Sequence, residues 1–95
     1  MSAMNELTAS AVPRLPRGVR LHFDKVRQAH VLLAPERAFN IGDTAVMVLK
    51  LVDGSRTIAS IAAELAAQFD VDPAVIERDI IVMLGDLRGK RVVET

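Results

Sequence analysis

A chain of 95 residues with 51% apolar letters and 12 acidic against 12 basic side chains has the size and composition of one globular domain, too small for a catalytic cleft between two domains. The absence of cysteine excludes disulfide scaffolds, thiolate metal sites and thiol nucleophiles, and it fits a reducing compartment, so a cytoplasmic location is expected. A formal charge of +0 denies the molecule the positive field that nonspecific nucleic-acid binding uses, and no run approaches the ~20 apolar residues of a membrane span or the apolar stretch of a signal peptide.

In chain order, residues 1–18 mix Pro13, Pro16 and Gly18 with polar letters and no sustained period. Ordering that stretch would bury too little to offset its entropy, so a flexible N-terminal arm is expected, with the folded domain at 19–95. Val19, Leu21 and Phe23 alternate with Arg20, His22 and Asp24, the pattern of a half-buried strand. A turn over Asp24 to Ala29 leads to a second strand, His30 to Ala34. Pro35 and Glu36 break it before a third, Ala38 to Ile41. The short connections predict antiparallel neighbours. Gly42 then supplies a joint and Asp43 an N-cap for a helix over Thr44 to Val52, apolar nearly all round and hence central, with Gly54 past its end. Thr57 caps a second helix, Ile58 to Phe69, whose stripe is Ile58, Ile61, Ala62, Leu65 and Phe69. Asp72-Pro73 opens a third, which runs to about Arg88 and stops at Gly89. Arg91 to Glu94 reads either as a terminal strand or as a frayed end. The predicted fold is α+β and winged-helix-like, a three-stranded antiparallel sheet followed by a three-helix bundle.

That plan invites a helix-turn-helix reading, and charge opposes it. From Thr57 to Leu87 the sole basic residue is Arg78, set against Glu64, Asp70, Asp72, Glu77, Asp79 and Asp86, an excess that phosphates would repel. Catalysis has as little support. His22 and His30 are the only imidazoles and make no three- or four-ligand metal set. No phosphate loop, nucleophile elbow or HExxH motif occurs. Ser55 and Ser60 lack the Asp-Ser setting of a carrier-protein attachment site.

The informative excess lies on the third helix. At about 100° per residue, Ile76, Ile80, Met83, Leu84 and Leu87 share one face while Val75, Val82 and Ile81 flank it. Either the strands and the first helix bury all of this, or part of it walls a groove. Beside it the third strand, Arg37 to Ile41, is a candidate sheet edge able to accept an extended peptide. Both parts are needed. Ordering a six-residue peptide costs ~6 to 12 kcal/mol of backbone entropy, each added hydrogen bond returns a net ~0.5 to 1.5, and two or three buried aliphatic side chains at ~1.5 to 3 kcal/mol each decide the sign.

Leu21, Phe23, Asp24 and Arg27, then Val31-Leu32-Leu33, Pro35-Glu36 and Asn40, then Asp53-Gly54, Arg56-Thr57-Ile58, Ile61-Ala62, Leu65, Asp79 and Leu84, taken in this order and spacing, resemble the PqqD family of pyrroloquinoline quinone (PQQ) biosynthesis. The resemblance covers roughly residues 16–95 and leaves the arm outside. It implies a peptide-recognition domain of three strands followed by three helices, not an enzyme and without a cofactor. Such a domain acts as a chaperone or adaptor that binds the precursor peptide PqqA and presents it to the radical S-adenosylmethionine enzyme PqqE. In that class the peptide lies along the third strand and against the third helix. Carried over, this assigns Arg37, Ala38, Phe39, Asn40 and Ile41 to strand pairing and Ile76, Ile80, Met83 and Leu87 to the pocket. Asp24, Arg27 and Glu36 are expected to serve the turns. No nucleic-acid or membrane partner is expected, and the chain is a monomer or, through the Asn40 to Asp43 joint, a strand-swapped homodimer. The competing readings are a winged-helix nucleic-acid-binding regulator and a minor enzyme subunit that supplies structure only.

Overall fold

The computed structural model describes residues 7–95; the start of the expected arm, residues 1–6, lies outside the described residues. Strands β1 (Arg20–Asp24), β2 (Ala29–Ala34) and β3 (Arg37–Asn40) precede helices α1 (Asp43–Leu49), α2 (Ile58–Phe69) and α3 (Pro73–Gly89), the α+β order expected from the sequence. The sheet is antiparallel with order β1-β2-β3. Its first turn is fixed by the Asp24 carboxylate, which accepts hydrogen bonds from the amides of Val26 (3.0 Å) and Arg27 (3.3 Å). The second is a two-residue connection. Pro35 presets its own φ, and Glu36 takes the left-handed conformation at φ 62 that the second turn position demands.

Helix α2 and the start of α3 match their sequence signals. Thr57 Oγ1 accepts from the Ser60 amide at 3.1 Å, and the Asp72 carboxylate accepts from the Ala74 amide at 2.9 Å ahead of Pro73. Helix α1 departs from expectation at both ends. Its N-cap is Gly42, whose carbonyl accepts from the Val46 amide at 3.0 Å, so Asp43 is the first helical residue and no side chain caps the helix. It ends at Leu49 instead of Val52, because Leu51 and Val52 bond three residues back and the Asp53 carboxylate then takes the amides of Ser55 and Arg56, pulling the chain into a turn. Gly89 is likewise the last helical residue of α3, and the stop comes at Lys90 and the left-handed Arg91.

The largest difference concerns the chain ends. Residues 7–18 were expected to lie free, yet Leu7, Ala11 and Leu15 pack on the core and Pro13 is fully buried. The carbonyls of Ala9 and Ala11 accept from the amides of Ala59 and Ile58, both at 2.9 Å. A helix start leaves such amides without intrahelical partners, and here the preceding segment supplies them. Gly18 at φ +85 turns this segment into β1 so close to Pro35 that a Cβ would lie 3.2 Å from its ring. Past α3, Val92 and Val93 are 0% and 1% exposed, and Arg14 and Glu94 exchange two backbone hydrogen bonds of 2.8 Å. The C-terminal residues therefore form a bridge with the N-terminal segment and do not fray. The core itself is aliphatic, centred on Leu32, Val48, Ile58, Ile61 and Leu84. No helix of the described residues is long and apolar enough to cross a membrane.

Candidate functional site

Among the described residues β3 pairs with β2 alone. In an antiparallel ladder alternate residues turn their N–H and C=O groups away from the partner, so the outer side of β3 presents unpaired donors and acceptors. Helix α3 runs beside that edge. Between them lies a cleft of about 220 Å³, bounded on the sheet side by Phe39, Asn40 and Ile41 and on the helix side by Met83, Asp86, Leu87 and Lys90. A larger cavity of about 440 Å³ opens between α1, α2 and α3 and shares Gly42, Ala45 and Met83 with the cleft. The two adjoin through these residues and together make a groove, of mixed polarity along β3 and almost wholly apolar between the helices.

The residues singled out from sequence take different places in it. Phe39 is half-buried and faces the cleft; in register it stands opposite the fully buried Leu32. Arg37 lies over the Phe39 ring, its guanidinium carbon 5.2 Å from the centroid, and donates through Nη2 to the Lys90 carbonyl at 2.9 Å. The Asn40 side-chain oxygen accepts from Arg27 Nη1 at 2.9 Å, which ties the end of β3 to the first turn. Ala38 is exposed opposite Leu33 and lines neither cavity. Ile41 falls just beyond the strand, because Gly42 already begins the helical turn; it contributes a wall and not a rung. On α3, Met83 and Ile76 are half-buried and reach the open space. Ile80 and Leu87 are 2% and 7% exposed, so they belong mainly to the core and show the groove only an edge. Part of the apolar excess on α3 faces solvent: Val82 is 74% exposed.

Sequence reasoning missed the contribution of α1 and α2. Ala45 and Met47 line the groove from α1 and Phe69 from α2. Phe69 is 51% exposed, although the α2 stripe placed it in the core. It is the last helical residue before Asp70 takes the left-handed conformation. A phenyl ring at the last position of a stripe was the available signal.

Charge on the groove is sparse. Among the described residues Asp79 is the one charged side chain lining the larger cavity, while Asp86 and Lys90 on the smaller cleft pair at 2.8 Å. The displaced titrations lie elsewhere. The amides of Ser55 and Arg56 hold the Asp53 carboxyl below its ordinary range, and the Glu64 carboxylate pushes the Arg56 guanidinium up. None of these residues borders the groove; they fix the entry to α2. Among the described residues no three His, Cys, Asp or Glu side chains converge as metal ligands. His30 packs edge-on against Phe23, with ring centroids 5.0 Å apart.

Comparison with known proteins bears on this arrangement. Residues 29–93 match the family described as Coenzyme PQQ synthesis protein D (PqqD). The chain is 61% identical over 87 residues to the Bifunctional coenzyme PQQ synthesis protein C/D of Methylorubrum extorquens, covering 92% of this chain but 23% of that relative, so it spans about a quarter of the relative's length. It is 45% identical over 89 residues to the PqqA binding protein of Xanthomonas oryzae pv. oryzae, covering 94% of this chain and 97% of that one. Among solved structures, the solution structure of the PqqD truncation of Methylobacterium extorquens PqqCD superposes with a TM-score of 0.86 at 57% identity over the whole of both chains. That protein is described as a functional, stand-alone recognition element for ribosomally synthesized and post-translationally modified peptides. The crystal structure of PqqD from Xanthomonas campestris matches with a TM-score of 0.60 at 40% identity, over 94% of this chain and 99% of that one.

Proposed function

The chain belongs to the PqqD family, and on that footing we propose that it is a noncatalytic peptide-binding adaptor of PQQ biosynthesis that takes up the precursor PqqA and presents it to the radical S-adenosylmethionine enzyme PqqE. The observation that carries the reading is the open outer edge of β3 lying along the apolar wall of Met83, Ile41 and Phe39. An extended segment of PqqA adds a fourth strand there, with Arg37 to Asn40 supplying the pairing edge and Ile41, Ile76, Met83 and the rims of Ile80 and Leu87 receiving alternate side chains. Main-chain pairing alone does not offset the ~1 to 2 kcal/mol of entropy lost per ordered residue; the continuation of the cleft into the larger cavity gives the side chains that must be buried a place to go. Asp24, Arg27 and Glu36 act on the hairpin and not on the peptide, consistent with the hydrogen bonds they make or the turn they shape.

The protein works in the cytoplasm as a monomer or, by exchange of the strands through the Asn40 to Asp43 joint, as a homodimer, and light scattering across concentrations separates the two. The decisive experiment is calorimetric titration of the protein with PqqA, alone and with PqqE present. The expected result is saturable one-to-one binding that survives moderate salt, with an affinity that changes when PqqE is added. Absence of binding under both conditions would refute the reading.

A further inference from the structure

We propose, resting on the reading that PqqA enters this groove, that the groove selects a segment carrying a cationic group followed about five residues later by a carboxylate, with apolar side chains between them. The groove carries an unmatched negative charge in the lining of one end, and an unmatched positive charge stands at the rim of the other, where the Arg37 guanidinium lies over Phe39 and bonds the Lys90 carbonyl. At the three-helix end, Asp79 is exposed beside Thr44 and has no hydrogen bond or ion pair among the described residues. Thr44 and Gly42 apart, the other described residues of that lining, Phe69, Ile76 and Met83 among them, are apolar, so a bound segment meets Asp79 there as the one negative charge among the described residues. At the other end Asp86 and Lys90 neutralise each other at 2.8 Å. Arg37 adds a guanidinium with no carboxylate partner among the described residues; its bond to the Lys90 carbonyl uses Nη2 and leaves further donors for an incoming anion.

Spacing and direction follow from the fold. From Asp79 to Lys90 the helix advances about 16 Å, which roughly five residues of extended chain span at ~3.3 Å each. Strand β3 runs from the Arg37 end toward Gly42 and the larger cavity. Antiparallel addition, the commoner and slightly more stable pairing, brings the segment in with its N-terminal part at Asp79 and its C-terminal part at Arg37. The cation therefore comes first. A segment with the reverse order meets like charge at both ends, which discriminates against it.

The test is calorimetric titration of synthetic PqqA, and of versions with each cationic group and each carboxylate neutralised singly, against the unaltered protein, Asp79→Lys, Asp79→Asn and Arg37→Gln. Binding to the unaltered protein establishes the underlying reading by itself; its absence overturns that reading and this inference together. With binding present, Asp79→Lys should weaken PqqA roughly 5- to 30-fold and Asp79→Asn less, in the same direction, with unchanged circular dichroism because the side chain is exposed. The loss should vanish when one particular cation of PqqA is neutralised. Arg37→Gln should couple in the same way to one carboxylate on the C-terminal side of that cation. Full affinity in Asp79→Lys, a loss that no single cation carries, or coupling in the reverse order would overturn the charge order while leaving peptide binding standing.

Discussion

The start of α2 and the outer edge of β3 are built on opposite rules. At α2 each of the first four amides has a partner: Ile58 and Ala59 bond to carbonyls of the N-terminal segment, Ser60 to the Thr57 hydroxyl and Ile61 to the Thr57 carbonyl. Along β3 the outward amides have no strand partner among the described residues, and the helix wall facing them carries the half-buried Met83. One corner is closed by its own chain, and the other is completed only by something from outside. The contrast teaches that apolar patterning measures burial but not its source: Val92 and Met83 are both apolar letters, yet one is sealed by the fold and the other lines an opening.

Substitutions can break this contrast or sharpen it. The largest expected effect is on the closed side: Ile61→Ala, at a residue 0% exposed, should cost about 2 to 5 kcal/mol of stability, read from denaturant midpoints. Next come the paired variants Ala38→Pro and Phe39→Pro. Adjacent strand residues alternate, so one removes an outward amide and the other an amide facing β2. The first should abolish peptide binding with modest loss of stability, and the second should lower stability by about 1 to 3 kcal/mol as well; equal effects in both assays would argue against the edge. Met83→Ala should then weaken PqqA roughly 3- to 30-fold with a smaller loss of melting temperature than Ile61→Ala, because Met83 packs on the core with only part of its surface and turns the rest to the groove. The smallest effect concerns Asp53. Amides of the folded chain hold its carboxyl below the ordinary value of 3.8, so its contribution is complete above that value and is lost as pH falls through the folded-state value. Thermal unfolding between pH 6 and acid should therefore be slightly less pH-dependent in Asp53→Asn, with peptide affinity unaltered.

Much of this molecule was legible from local chemistry. Asp72-Pro73, Thr57 and Pro35-Glu36 act on their immediate neighbours, and each placed its element to within a residue or two. The edge character of β3 followed from short connections, since a three-strand meander has two edges. What stayed hidden was nonlocal. Nothing in the letters of residues 7–18 signals that their carbonyls meet the amides of α2 or that Arg14 meets Glu94, because neither contact has a period. The walls of the groove were legible in part: the face of α3 named the correct side, but which of Ile76, Ile80, Met83 and Leu87 is sealed and which is open depends on where α1 lies. A seven-residue helix without a capping side chain leaves little trace of that in sequence.

The bridge between Arg14 and Glu94 fixes where the C-terminal residues leave the fold. Two antiparallel residues holding each other through reciprocal 2.8 Å bonds clip the end of the chain to a segment that is itself packed on the core, and neither residue borders the groove. Cargo tethered after Glu94 thus hangs from a residue that lines neither cavity, and its attachment leaves the walls of the docking slot as they are.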